Sequence, residues 1–198
     1  DRSAQNDTAL YYLQEARKVF EADNRRSKVG IVTLNIGRFY REAGKLDEAR
    51  EAYTQALNQV VDLSHQVQCH EYLGYIAYRQ GRYDDAAKSL QTALRVDEEN
   101  RRRRAVYLNT KLGEVYTAQG RSDLSLALCD GMVQQVIADS SLGGYGRATR
   151  LTDCWDCIGQ AKAAMDDHKA AIGAFDIRDS ARTAYERISE NNQATIGL

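Results

Sequence analysis

Proline is absent from this chain of 198 residues, and long apolar runs and strongly uneven charge are absent as well. Because proline removes a helical hydrogen bond and clashes with the preceding turn, its absence removes the strongest helix breaker from the whole sequence. Alternating β-branched runs, which predict strands, are also missing. These absences predict an all-α fold.

The short apolar runs and the balanced charge exclude further classes of protein. No segment approaches the roughly 18 apolar residues of a membrane span, so we expect no membrane insertion. The N-terminal DRSAQNDTAL has neither the basic start nor the apolar core of a signal peptide. Since 27 Lys and Arg residues balance 28 Asp and Glu residues, the chain lacks the basic field of a sequence-independent nucleic-acid binder, and nucleic acid is not an expected partner.

Cysteine is scarce and irregularly placed. Four cysteines in a chain of this size do not predict the disulfide framework of a secreted domain. They favour a reducing compartment, and we predict a cytoplasmic location. The chain begins with Asp1 rather than methionine, as expected of an excised fragment or a processed chain.

Glycine and other small residues, by contrast, recur in register along the chain. Four glycines each follow an apolar residue: Gly37, Gly74, Gly113 and Gly159. Seven residues later come Gly44, Gly81, Gly120 and, as a departure, Asp166. Five residues further on lie Ala49, Ala86, Ser125 and Ala171, and four beyond those lie Tyr53, Leu90, Cys129 and Phe175. Such self-similarity predicts a repeat architecture.

The small residues in this pattern have a physical reason. Two antiparallel helices approach closely only where one side chain is nearly absent, and the bulky residue of the last column fills the adjacent space. Gly44, Gly81 and Gly120 can adopt the positive φ that ends a helix, and acidic residues follow each of them, as favoured in the first turn of a helix. Each unit is therefore predicted to be a helix, a glycine turn and a second helix.

This pattern resembles the tetratricopeptide repeat. Trp155-x-x-Ile158-Gly159 matches the opening of its consensus, Tyr40 and Tyr116 match its tyrosine, and Ala56 and Ala93 match its late small residue. The terminal proline of the family is missing, and the spacings of 37, 39 and 46 residues between the first-column glycines exceed the usual figure of about 34. The chain is similar in this respect to long-repeat relatives in spindle-orientation scaffolds, kinesin light chains and peptide-sensing bacterial regulators.

The resemblance implies a single α-solenoid, a right-handed superhelix of antiparallel helix pairs. The predicted divisions are a partial first repeat 1–29, repeats 30–66, 67–105 and 106–151, the last with a long loop 138–146, and a divergent repeat with a capping helix 152–198. In the closing helix two registers compete, one with Ala171 and Phe175 and one with Ala181 and Tyr185.

The cysteines and histidines are the candidates for a site of chemistry. Cys154-x-x-Cys157 is a CxxC, which in other settings marks a redox pair or half of a zinc site, but His168 alone does not supply the two further ligands that zinc would need. However, Cys154 falls in the buried column of Val32, Cys69 and Leu108, so packing is the favoured interpretation. The cluster His65, Cys69 and His70 is interpreted in the same way. No nucleophile with a base, phosphate loop or metal motif is found, so we predict neither an enzyme nor a cofactor.

Arginines cluster just ahead of three predicted first helices. Most such runs are solvated helix ends, but stacked helices would place these clusters along one rim suited to an acidic peptide or phosphate group. This predicted basic rim comprises Arg25, Arg26, Arg103, Arg104, Arg147 and Arg150.

The resemblance places a ligand groove on the first helices of the repeats, at the positions between those that pack. The predicted groove residues are Asn35, Arg38, Arg41, Glu71, Tyr72, Tyr75, Tyr78, Tyr107, Lys111, Glu114, Asp153, Asp156 and Gln160. Tyrosine and arginine are common interface anchors, although some of these tyrosines could simply cover neighbouring helices. The charge changes from arginine-rich to aspartate-rich, which predicts a polarised peptide. The Lys and Asn set of the dicarboxylate clamp is not present.

Three functions follow as hypotheses. The first is a non-enzymatic scaffold or adaptor that binds a peptide segment of a partner protein in the groove. The second is the sensor or effector domain of a larger regulator, such as a transcription factor or a signalling ATPase. The third is self-association through the exposed ends of the solenoid.

Overall fold

The computed structural model describes residues 2–99 and 104–196, with side chains from residue 8 onward except those of residues 185 and 188–196. Every regular element within these ranges is an α-helix. The chain divides into two compact units, Asp1–Arg103 (unit 1) and Arg104–Leu198 (unit 2). The all-α prediction is confirmed.

Unit 1 contains one leading helix and two helix pairs. Its helices are α1 (Arg2–Ala22), α2 (Arg26–Glu42), α3 (Leu46–Leu57), α4 (Leu63–Arg79) and α5 (Tyr83–Glu99). Each helix packs on the one before it in the sequence. Asp62 caps α4 by accepting hydrogen bonds from the backbone N–H groups of Ser64 and His65, at 2.9 and 3.2 Å.

Unit 2 contains two further pairs. Its helices are α6 (Ala105–Ala118), α7 (Ser122–Ala138), α8 (Gly144–Ala164) and α9 (His168–Ile196). The connection between α7 and α8 is residues 139–143, which is shorter than the predicted loop 138–146. Helix α9 spans 29 residues and packs along α8.

The turn inside each pair depends on a residue with positive φ. Gly44, Gly81 and Gly120 have φ of 75°, 73° and 75°, and Asp166 occupies the fourth turn with φ of 59°. In the first turn, the N–H of Lys45 bonds to the carbonyl of Tyr40 at 2.9 Å, which satisfies a carbonyl left open at the end of α2. The prediction of glycine turns is confirmed. In the fourth turn an aspartate, Asp166, stands in the place of glycine and adopts a similar backbone conformation.

The close approach of the paired helices is visible at the first-column glycines. A Cβ on Gly37 would lie 2.7 Å from Cε1 of Tyr53, and a Cβ on Gly74 would lie 3.0 Å from Cγ of Leu90. In the last pair the ring of Phe175 lies against Gly159. Because Phe175 fills this space and Ala171 is buried, α9 uses the first of the two predicted registers. The side chain of Tyr185, needed for the other register, lies outside the described part.

The third pair fills the same space with sulfur. Cys129 on α7 and Cys157 on α8 form a disulfide, and a Cβ on Gly113 would lie 2.9 and 2.5 Å from their Sγ atoms. The packing interpretation favoured for the CxxC is therefore wrong for Cys157, which bonds to Cys129 because α7 packs on α8. Cys69 and Cys154 are free and fully buried, as their column predicts.

Among the described helices, none has the length and apolar character needed to cross a lipid bilayer.

Candidate functional site

The most distinctive surface of unit 1 is a set of arginine and tyrosine side chains on its first helices. The guanidinium of Arg41 on α2 lies over the rings of Tyr72 and Tyr75 on α4, with its Cζ 4.6 and 5.8 Å from their centroids. Arg79 lies over Tyr75 at 5.7 Å and donates a hydrogen bond to its hydroxyl at 2.7 Å. Tyr75 keeps 38% of its surface exposed. We call Arg41, Tyr72, Tyr75 and Arg79 the Arg/Tyr cluster.

Cation–π contacts order this cluster. Each guanidinium within about 6 Å of a ring centroid gains roughly 0.5–1 kcal/mol at an exposed site. The contacts therefore limit the rotamers of these long side chains without neutralising the arginines. The cluster therefore presents ordered aromatic rings together with positive charge.

Tyr53 on α3 lies beneath this cluster. Its ring is 5.0 Å from the ring of Tyr72, and its side chain is fully buried. Burial raises the pKa of Tyr53, and Arg41 and Arg38 lie close enough to oppose that rise. The hydroxyl oxygen has no hydrogen-bond partner among the described residues.

The remaining groove residues predicted in unit 1 have different surroundings. Arg38 is exposed and Asn35 is half-buried, one turn apart on α2. Glu71 is only 6% exposed, so it lies deeper than a groove contact. Tyr78 packs its ring on Tyr83 of α5 at 5.7 Å, so it covers a neighbouring helix.

The groove residues predicted in unit 2 lie on α6 and α8, and most of their charges are already paired. Lys111 contacts Glu114 at 2.6 Å, and Asp156 accepts from Arg178 at 2.8 Å. Gln160 also donates to Asp156, at 2.7 Å. Tyr107 lies beneath Arg104 and Lys111, whose charged groups are 5.1 and 5.7 Å from its ring centroid.

Asp153 is the exception in unit 2. Its carboxylate makes no ion pair within the described residues. Burial raises the pKa of Asp153, and the neighbouring carboxylates of Asp156 and Glu114 add to the rise while Lys111 opposes it. This face of unit 2 is therefore mixed in charge, unlike the Arg/Tyr cluster.

The predicted basic rim has capping contacts within each unit. In unit 1, Arg26 donates to the backbone carbonyl of Asn58, and Arg25 precedes α2. In unit 2, Arg147 donates to the carbonyl of Asp139 at 2.9 Å. Arg104 precedes α6, Arg150 lies half-buried on α8, and Arg103 lies outside the described residues. Two of these guanidiniums thus satisfy loop carbonyls.

The cysteine and histidine candidates show no geometry for metal binding. No group of three or more His, Cys, Asp or Glu side chains converges on a metal position in the described ranges. Burial raises the pKa of the Cys154 thiol to about 12, so this cysteine is a poor nucleophile at neutral pH. Burial, with a smaller effect of Arg95, lowers the pKa of His70, as expected of a packed histidine.

Three residues that contact the predicted groove residues were not predicted to do so: Tyr53, Arg79 and Arg178. The spacing of Arg79 four residues after Tyr75 on one helix could have revealed the first contact. The positions of Tyr53 and Arg178 depend on how a second helix packs on a first helix. The sequence pattern assigned Tyr53 to packing alone.

Comparisons with known proteins identify the repeat. A tetratricopeptide-repeat profile matches residues 28–99, and a second tetratricopeptide-repeat profile matches residues 72–140. Together they cover more than half of the chain, including α2 to α7.

Solved structures show the same fold. A putative kinesin light chain of Podosopora anserina with nearly identical TPR-like repeats is similar with a TM-score of 0.72 at 15% identity, covering 94% of this chain and 91% of that one. MamA is similar with a TM-score of 0.61 at 18% identity, covering 96% and 87%. At these identities the likeness concerns the fold.

One curated protein is similar in sequence. The human protein O-mannosyl-transferase TMTC1 is 23% identical over 146 residues, which are 74% of this chain but only 14% of that protein. The chain thus matches a small part of a much longer relative. The profiles, the glycine turns and the similar solenoids agree, and the chain belongs to the tetratricopeptide repeat family.

Proposed function

We propose that this protein is an interaction scaffold that holds a peptide segment of a partner protein against the first helices of unit 1. Tetratricopeptide repeats in general serve protein–protein interaction. The proposal assigns the chain no catalytic step and no cofactor. The single observation that carries it is the Arg/Tyr cluster.

The composition and order of this cluster support binding. Tyrosine and arginine dominate the residues whose truncation costs most in protein interfaces, because they offer large contact area and polar tips. Arg41 and Arg79 are held against Tyr72 and Tyr75 before any partner arrives, so binding freezes few additional rotamers. Unit 2 pairs its corresponding charges internally, so we assign the principal contact to unit 1.

The proposal can be tested with peptides selected by the protein itself. Random peptides displayed on phage would be selected on the whole chain, and their affinities measured by fluorescence anisotropy. Tyr75→Ala and Arg38→Ala should each weaken binding by about 1–3 kcal/mol, because both remove an anchor without removing core contacts. Tyr12→Ala is the matched control, since Tyr12 lies on α1 and is 67% exposed.

The outcome that contradicts the proposal is equally definite. If Tyr75→Ala and Tyr12→Ala bind the selected peptides as tightly as the wild type does, the first helices of unit 1 are not the site. Helical content measured by circular dichroism should be the same in all variants.

Two observations on the cysteines favour different cellular compartments for this protein. The scarce cysteines predicted a cytoplasmic location, whereas the Cys129–Cys157 bond is of a kind that persists mainly in oxidising compartments. Alkylation of the thiols in intact cells, before and after reduction, distinguishes the two. Modification of Cys129 without prior reduction would support the cytoplasm.

A further inference from the structure

A cavity of about 290 Å³ lies between α1, α2 and α3 of unit 1, and none of its lining residues belongs to the Arg/Tyr cluster. The buried residues Ile36 on α2 and Ala52 on α3 give it a small apolar part, and every other side chain that lines it is polar or charged. Small-molecule sites usually measure about 300–1,000 Å³. The cavity is therefore of a size for a small polar ligand.

The positive group of this cavity is Arg17 on α1. Its side chain is partly exposed, but its Nε is buried and donates no hydrogen bond within the described residues. This nitrogen lies 3.6 Å from a carboxylate oxygen of Glu21, which is beyond hydrogen-bond distance. Buried donors are normally satisfied, so a ligand that carries an acceptor would complete the surroundings of Arg17.

The negative groups of the cavity are Glu48 and Glu51 on α3, which are three residues apart and share a face of the helix. Glu48 forms no hydrogen bond or ion pair through its side chain within the described residues. Glu51 accepts a hydrogen bond from Gln55 at 3.1 Å and has no cationic partner there. No ion pair joins Arg17 to either glutamate, so the two signs of charge stay apart across the cavity.

The equivalent positions one repeat further along the chain lack this combination. In the repeat register Glu48 corresponds to Asp85, and Glu51 corresponds to Lys88. Asp85 is paired with Arg82 at 2.6 Å, and Lys88 reverses the charge at its position. The repeat itself therefore does not require the unpaired carboxylates of the first position.

We propose that this cavity binds a free α-amino acid, whose carboxylate meets Arg17 and whose ammonium group meets Glu48 and Glu51. Two further donors suit the carboxylate, because the side-chain amide of Gln14 and the hydroxyl of Tyr40 line the cavity and form no hydrogen bond within the described residues. This inference goes beyond the proposed function, since it concerns a small ligand and a separate set of residues.

The separation of charge favours a zwitterion over a ligand of one sign. A purely cationic ligand would meet the like charge of Arg17 and would leave its Nε without an acceptor. A purely anionic ligand would meet two unpaired carboxylates. An α-amino acid carries both charges on one small framework, so each can form a charge-assisted hydrogen bond with the group of opposite sign.

The test begins with the whole chain and the standard L-amino acids. Thermal denaturation should show that at least one of them raises the midpoint, and isothermal titration calorimetry would then measure its affinity. The matching amine without the carboxylate and the matching acid without the ammonium group should each bind about tenfold more weakly or worse, because each loses one charge-assisted contact. A wild type that no amino acid stabilises, or an amine that binds as tightly as the amino acid, would overturn the inference.

Single substitutions then locate the site. Arg17→Gln and Glu48→Gln should each weaken binding of the amino acid by about tenfold. Arg17→Gln should leave the weak affinity for the amine unchanged, and Glu48→Gln should not weaken binding of the acid. The matched controls are Lys18→Gln, an exposed cation beside Arg17 on α1, and Asp85→Asn, the equivalent of Glu48 in the next repeat.

The controls should bind the amino acid as the wild type does, and equal losses in them would overturn the inference. Circular dichroism should report the same helical content in every variant, and Glu48→Gln alone decides the question if Arg17→Gln does not fold. Tyr75→Ala, which tests the proposed function, should not alter the affinity for the amino acid. The failure of one proposal is thus distinguishable from the failure of the other.

Discussion

In unit 1 the space beside Gly37 of α2 is filled by the ring of Tyr53. In unit 2 the space beside Gly113 of α6 is filled by the sulfurs of Cys129 and Cys157. The space beside these two glycines is thus filled by an aromatic ring in unit 1 and, in unit 2, by a disulfide that also joins α7 to α8. The faces formed by the first helices of the two units also differ. Unit 1 keeps arginine charge available to a ligand, while unit 2 pairs most of its charges internally.

This comparison shows that the repeat requires a side chain of suitable volume beside each first-column glycine, but does not determine the type of that residue. Tyr53 brings a buried hydroxyl to unit 1, where it has no hydrogen-bond partner among the described residues. A disulfide brings no hydrogen-bond donor, but it makes the stability of unit 2 depend on redox conditions. The predictions below test whether the two units respond separately.

The largest expected effect is that of reduction. Breaking the bond between Cys129 and Cys157 should lower the free energy of unfolding of unit 2 by about 3–4 kcal/mol, because it releases a loop whose ends are 28 residues apart. Trp155, the single tryptophan, packs against the core of unit 2 and reports its unfolding in urea. Hydrogen exchange in α2 to α5 should not change.

The control for this experiment is a variant without the bond. Cys129→Ala/Cys157→Ala should unfold at the same urea concentration with and without reductant. If the urea midpoint reported by Trp155 in the wild type were the same with and without reductant, the covalent link between α7 and α8 would be contradicted.

The second effect comes from adding one methyl group at each close approach. Gly37→Ala and Gly113→Ala should each destabilise their own unit by about 1–3 kcal/mol, because the new Cβ would lie less than 3.0 Å from Tyr53 or the disulfide. Gly131→Ala on α7 is the matched control, since a Cβ there meets nothing within 4 Å. It should stabilise unit 2 by about 0.5–1 kcal/mol.

Denaturation curves and site-resolved hydrogen exchange would measure these changes. Equal stability changes for Gly113→Ala and Gly131→Ala would show that the column does not control the approach of the helices.

The smallest effect is a difference in pH dependence. The pKa of His70 in unit 1 is lowered from 6.5, so its contribution to stability is present above pH 6.5 and is lost as the pH falls toward the folded value. The pKa of Asp153 in unit 2 is raised from 3.8, so its contribution is present below pH 3.8 and is lost as the pH rises through the folded value. Mild acid should therefore weaken unit 1 through His70.

Single substitutions identify these groups. His70→Gln should flatten the acid loss in unit 1 and Asp153→Asn should flatten the slope in unit 2, as measured by urea midpoints across the pH range. An unchanged slope in either variant would mean that another group dominates that unit.

Much of the fold could be predicted from the sequence because the repeat compares the chain with itself. Gly44, Gly81 and Gly120 were predicted as turns, and Asp166 has the same backbone conformation although its residue type differs. The register also placed Tyr53 and Phe175 beside their glycines. Such local relations are set by helix periodicity, which a single sequence displays.

The disulfide and the detailed sites depend on contacts that periodicity does not encode. Cys157 lies two residues before Gly159 of α8, and only the packing of α7 on α8 brings it to Cys129. The pairing of Asp156 with Arg178 likewise requires the actual rotation of α9 about its axis. The groove positions came from the family resemblance, and their use by a ligand remains a prediction.

The contacts within each unit join helices that are neighbours in the sequence, or next neighbours in the case of α6 and α8. Few distant chain segments must meet before packing is rewarded, so the loop-closure entropy paid during folding is small. Folding can start at any one helix pair and spread to the next. Since the chain contains no proline, it also escapes the slow isomerisation that delays many proteins, and we expect each helix pair to form in milliseconds or less.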